Sequence, residues 1–297
     1  MPTRRIRLVP RTPCITFPTG EDLACQSGTA TAALVGSSST FTNLPGTYTI
    51  ASDQSLGLAR PAGSGWIIYQ TTGNNTTLTT NSAEPISPSD VLQVNIPTGY
   101  GGGGGNEHQS YSVNSRAWSE LFVGWSFLLD SGFTGASSAG YSSGVQKLFH
   151  LWGYTDTTPT TMVVPSAFGT GTSFSLQLRC QGLHSTNPRG PSFNMTSGNA
   201  GTGASAGLTR GVFNVVEVQL IMNTGSSANG IARAWLNGTK VLEATDLVYN
   251  TTGSKRWYDV ALNPTHFNGF INATQPQWLS PRTQYLQFGH ALIGGRS

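Results

Sequence analysis

The stretch Ser173–Gln181, SFSLQLRCQ, alternates without a break: Phe174, Leu176, Leu178 and Cys180 fall on one side, and Ser175, Gln177, Arg179 and Gln181 on the other. Successive side chains of a strand point to opposite faces, so a period of two predicts an extended segment with one oily and one hydrogen-bonding face. Such a strand is half of a layer. Its apolar side has to be covered by a second layer built from the rest of the chain.

The rest of the chain supplies many strands of the same kind. GWIIYQ (65–70), DVLQVNI (90–96), LFVGWSFLLD (121–130), VQKLFHLW (145–152), TMVV (161–164), FNVVEVQLIM (213–222), IARAWL (231–236), KVLEA (240–244) and QYLQFGHALI (284–293) all read as strands between turn-rich segments. No run longer than a turn has helical periodicity, and the glycines at 101–105 and the stretch 196–211 read as loops. Charged residues make up 10% of the chain, against about 25% in an ordinary soluble protein, and there are 37 glycines. Helices draw on Glu, Lys and Arg, which are sparse in this chain. The expectation is an all-β, two-sheet antiparallel sandwich of the jelly-roll type. It divides into an N-terminal arm with short strands (1–60) and the sandwich itself (61–297).

The formal charge is +3, and Arg4, Arg5, Arg7 and Arg11 contribute four positive charges, so residues 12–297 carry about −1. A nearly neutral body offers no electrostatic footprint for specific nucleic-acid binding. The four arginines are read as an assembly arm, suited to homo-oligomer contacts or to other structural subunits. No stretch has the eighteen or so apolar residues of a membrane helix, so no membrane insertion is expected. RRIRLVP reaches a proline before any apolar run begins, so no secretory signal is read there. Cys14, Cys25 and Cys180 have neither zinc nor CxxC spacing; Cys14 and Cys25 are read either as a short disulfide loop or as free thiols.

The segment from Phe213 adds a second strand of the same type. Val216, Val218, Leu220 and Met222 share one face, with Glu217 and Gln219 opposite. If this strand neighbours Ser173–Gln181, the two build one polar floor. Asn237-Gly238 then marks a hairpin. With a two-residue turn, Ala234 meets Val241, Trp235 meets Lys240, and Arg233, Trp235 and Lys240 share the non-core face. A longer loop that takes in Thr239 sets Trp235 against Val241 and makes it core.

FNVVEVQLIMNTGSSANGIARAWLNGTKVLE resembles the paired strands near the C-terminal end of concanavalin A-like sandwiches, those akin to polysaccharide lyases and laminin-G-like modules. Glu217 and the Ile231–Gly238 hairpin carry that resemblance. SPSDVLQVNIPTGYGGGG, LFVGWSFLLDSGF and SSGVQKLFHLW are similar to earlier strands of uncharacterised phage and environmental proteins of that group. The resemblance spans roughly 85–293 and implies fold more than activity.

Three chemistries bear on that fold. A retaining glycosidase needs two carboxyl groups about 5 Å apart, and the E-x-D-x-x-E run of sandwich glucanases is absent. A polysaccharide lyase needs an Arg, Gln or Asn to neutralise a uronate carboxylate and a Tyr, His or Lys to remove the adjacent proton. Gln177, Arg179, His150 and Tyr154 are of those types, although the alginate-lyase strings R-[ST]-E-x-R, Q-I-H and Y-x-K-x-G-x-Y are missing. Glycan binding asks only for aromatic platforms and planar polar groups. The carbohydrate-binding set is therefore His150, Trp152, Tyr154, Gln177, Arg179, Gln181, Glu217, Gln219, Arg233 and Trp235. No catalytic or side-chain metal set is assigned and no cofactor is expected; a structural calcium held by backbone carbonyls would leave no signature. The preferred reading is a non-enzymatic structural or decoration protein of a virion or extracellular assembly, such as a phage capsid, with a glycan-binding face for a polysaccharide or cell-surface glycan. The alternative is a lyase acting on a uronate-containing polysaccharide.

Overall fold

The computed structural model describes residues 40–57, 66–70, 76–99, 108–134, 144–155, 158–252, 255–262 and 280–297. The arginine arm, Cys14, Cys25 and the five-glycine loop lie outside them. Among the described residues the chain forms seventeen strands in two sheets, every pairing antiparallel.

The first sheet runs in the order β15 (Thr239–Leu247), β14 (Gly230–Leu236), β13 (Phe213–Ile221), β6 (Glu120–Leu129), β17 (Gln284–Arg296), β4 (Val91–Ile96) and β3 (Thr76–Thr79). β17 is long enough for two partners on one side: β4 pairs with Gln284–Phe288, and β1 (Thr49–Ser55) pairs with His290–Gly295. The second sheet runs β11 (Ser192–Met195), β10 (Ser173–Gln181), β9 (Thr158–Thr170), β8 (Phe149–Thr155), β16 (Arg256–Leu262), β5 (His108–Ser112) and β2 (Trp66–Gln70). β12 (Gly207–Leu208) joins β10, and β7 (Gly144–Lys147) joins β9.

The core forms where the two inner faces meet. Phe174, Leu176, Leu178 and Cys180 of β10 enter it from one sheet, and Val216, Val218 and Leu220 of β13 from the other, as the period-two pattern requires. Aromatic rings bridge the layers: Trp125 and Phe149 pack with centroids 4.7 Å apart, and Phe133 meets Phe174 edge-on at 5.5 Å.

The Asn237-Gly238 hairpin takes the two-residue form, with φ of 50° and 79° at its central residues, as a type I′ turn demands. Trp235 pairs with Lys240, but Ala234 pairs with Leu242 rather than Val241, because a bulge leaves Val241 of β15 as an extra residue between the two pairs. Trp235 therefore stays off the core. Arg233 and Lys240 share its face and both hold Glu243, at 2.5 and 2.9 Å.

One expected adjacency is not found. β10 and β13 belong to different sheets, so their polar sides face away from each other across the whole sandwich and form no common floor. The outer face of the first sheet is instead occupied by the chain's own segment 41–48. Phe41 lies over Gly124, where any Cβ would come within 2.7 Å of its ring. Asn43 donates to the fully buried Glu217 from its backbone N–H (2.8 Å) and from its Nδ2 (2.6 Å). Tyr48 donates to Glu120 at 2.5 Å and accepts from Gln219 at 2.8 Å.

Candidate active site

The outer face of the second sheet carries the remaining polar side chains, and strand register sorts them into cross-strand rows. In the first row Gln177 pairs with Ser166 and Ser166 with Lys147. The second runs from Asn194 to Arg179 to Val164 and reaches β8 near His150. The third runs Gln181, Met162, Trp152, Asp259 and Ser112. Neighbouring strands lie about 4.8 Å apart, so a row of three spans roughly 10 Å, the width of a sugar residue with its substituents.

Lys147 reaches this face through a bulge. Between the pairs Lys147–Ser166 and Leu151–Val163, the β7–β8 side has three residues and β9 has two. Leu148 and Phe149 both turn into the core, and the extra residue brings Lys147 and His150 onto the same outer surface. Strict alternation would instead have grouped Lys147 with Phe149 and Leu151 on the buried side. That is why the period-two reading passed over Lys147, although Leu148-Phe149, two consecutive core side chains in a strand, is a mark of such a bulge.

The electrostatics of the first two rows are one-sided. Burial, reinforced by the nearby Arg179 guanidinium, holds the Lys147 ammonium below the usual lysine range. Burial also lowers Arg179, whose Nε donates to Asn194 Oδ1 at 3.3 Å. Ser166 is fully buried and Gln177 only 6% exposed, so both serve as floor between the cations. Neither row contains a carboxylate. His150 is 9% exposed and meets Trp152 edge-on at 5.9 Å, joining the second row to the third.

The ten residues expected to bind carbohydrate therefore separate. His150, Trp152, Gln177, Arg179 and Gln181 share this face. Tyr154 lies in the same strand, two residues past Trp152, but its side chain is outside the described set. Glu217, Gln219, Arg233 and Trp235 are on the opposite side of the sandwich, where Glu217 is sealed by Asn43 and Arg233 is tied to Gln219 and Glu243. Among the described residues no group of three or more His, Cys, Asp or Glu is placed to hold a metal ion.

No family model and no curated protein matches the sequence. Solved structures do match in fold. Alginate lyase vAL-1 from Chlorella virus aligns with a TM-score of 0.60 at 14% identity, over 83% of this chain and 100% of that one. The marine PL-14 alginate lyase from Aplysia kurodai gives 0.59 at 13%, over 82% and 98%. A doubly substituted alginate lyase Aly36B in complex with alginate trisaccharide gives 0.56 at 18%, over 84% and 100%. The chain has the concanavalin A-like jelly-roll fold that these polysaccharide lyases share. These likenesses overturn the expectation of a non-enzymatic virion or extracellular structural protein.

Proposed function

We propose that the chain is a polysaccharide lyase that cleaves a uronate-containing polysaccharide by β-elimination on the outer face of the second sheet. The observation that carries this reading is the bulge that sets Lys147 beside Arg179 and Gln177, in two rows that hold no carboxylate among their described residues. Abstraction of the proton at C5 of a uronate builds negative charge on the neighbouring carboxylate. Arg179, with Gln177 as a hydrogen-bond donor, neutralises that charge. Lys147, held below the ordinary lysine range, is the base.

In the reaction the C5–H bond breaks and its proton passes to Lys147 Nζ. The electron pair forms the C4–C5 double bond, and the C4–O bond breaks. The departing oxygen takes that proton back from Lys147 Nζ and becomes the reducing-end hydroxyl of the other fragment, so the amine is regenerated and no water is consumed. Trp152 and Gln181, one row further on, give the adjoining sugar an aromatic platform and a planar hydrogen-bonding group.

The test is absorbance of the unsaturated uronate at about 235 nm during incubation with alginate, glucuronan and glycosaminoglycans; Lys147→Ala should lower kcat about 10² to 10⁴-fold, the usual worth of a general base. No absorbance on any uronate polymer, or full activity in Lys147→Ala, would overturn the assignment.

A further inference from the structure

Arg179 is the group on which both halves of this site depend, since it faces the carboxylate and acts on Lys147. Its own orientation rests on the edge strand. Asn194 lies directly across from it in the β10–β11 pairing, and Asn194 Oδ1 accepts the hydrogen bond from Arg179 Nε. Asn194 is in turn fixed from behind. Its carbonyl accepts from Asn199 Nδ2 at 2.9 Å, and Asn199 Oδ1 accepts from the Thr196 N–H at 2.9 Å. The turn at 196–200 closes through the Ala200 N–H to the Thr196 carbonyl, and Ala200 itself is buried in the core.

We infer that Asn194 is a positioning residue of this site: by holding the Nε edge of Arg179 against β11, it fixes the plane in which the two Nη groups meet a substrate carboxylate beside Lys147. A guanidinium is planar, so anchoring one edge determines where the other donors point. Loss of that anchor widens the range of orientations the guanidinium has to give up on binding. The role belongs to binding geometry and not to proton transfer, so its removal acts on KM before kcat. The inference rests on the lyase reading, yet part of it is measurable without catalysis.

Two variants separate orientation from charge. Asn194→Ala removes the acceptor and should raise KM for the cleaved polymer about five- to tenfold with kcat nearly unchanged, the worth of one charge-assisted hydrogen bond. Asn194→Asp keeps an acceptor but adds a carboxylate beside Arg179, which offsets the charge that lowers Lys147. The acidic limb of kcat/KM should then move to higher pH. The same upward shift should appear in the pH dependence of amine acylation at Lys147, followed by peptide mass spectrometry. Asn194→Ala adds no charge, so it should move that titration only if Arg179 is displaced relative to Lys147; a purely structural role for Asn194 would leave it where it is. Wild-type activity with both variants indistinguishable from it overturns the inference and spares the lyase assignment. No activity in any form, with an acylation shift present in Asn194→Ala, overturns the lyase assignment and leaves the Asn194–Arg179–Lys147 coupling standing.

Discussion

Lys255 offers a direct test of the packing at one end of the sandwich. Its side chain is 4% exposed, and its Nζ donates to Thr161 Oγ1 at 2.7 Å and to the Tyr249 carbonyl at 2.5 Å. Neither of these partners is a carboxylate, and burial lowers its pKa from 10.5 to about 8. In the unfolded chain it titrates near 10.4. Between those values the unfolded state binds more protons than the folded one, so stability rises with pH across the window. Below about 8 both states are protonated and the cost of burying the ammonium is fully present; above the unfolded value it has vanished. At about 1.4 kcal/mol per pH unit the whole shift is worth at most about 3 kcal/mol, and relaxation and water at the sandwich end reduce this to about 1 to 2 kcal/mol. Lys255→Met removes the titration. Urea unfolding followed by tryptophan fluorescence, at intervals from pH 7 to 10.5, gives the stability of wild type minus that of Lys255→Met. This difference should be flat below pH 8 and then climb by about 1 to 2 kcal/mol. Cys180, which burial raises to about 12, opposes any rise in each protein above pH 9, but it cancels in the difference. A difference that stays level throughout would show that Lys255 is not buried as an ammonium.

Two further outcomes follow from the other side of the sandwich and from its core. Gly124→Ala places a methyl group within 2.7 Å of the Phe41 ring. It should cost about 1 to 3 kcal/mol in urea unfolding while leaving kcat on the polysaccharide unchanged, because the strain falls on the face away from Lys147. Cys180 is fully buried, and its thiol is pushed up to about 12. Peptide mapping should find it unmodified by a thiol reagent in native protein at pH 8 and fully modified in urea; rapid native labelling would contradict its place in the core.

The fold was open to sequence reasoning because each strand obeys a local rule. Ser173–Gln181 forms β10 with the boundaries its alternation marks, and Phe213–Ile221 forms β13 one residue shorter than its apolar pattern. β16 escaped notice because Arg256, Tyr258 and Asp259 break the alternation about Trp257, where the pairing with β8 is itself irregular. Which strands become neighbours is not a local property. β10 and β13 have the same oily and polar faces, and nothing within either distinguishes a partner in its own sheet from one across the core. Their assignment to opposite layers follows from separate partners, β6 for β13 and β9 for β10, which neither strand's own residues specify.

The site shows the same division at the scale of one residue. Gln177, Arg179 and Gln181 were readable because β10 is regular, whereas Lys147 required counting residues on two strands at once. A single extra residue at Leu148 decides which side of the sheet the amine occupies, and no property of Lys147 itself carries that information. The polar character of Glu217 and Gln219 misled for the complementary reason. A buried carboxylate on an outer face needs a donor, and the donor is Asn43, 174 residues earlier in the chain. Polar residues that satisfy one another within the fold and polar residues that await a ligand look alike along a strand. What separates them here is whether a segment of the same chain lies on top. Among the described residues segment 41–48 does so on the first sheet, while on the second the register brings Lys147 and Arg179 together beside Gln177.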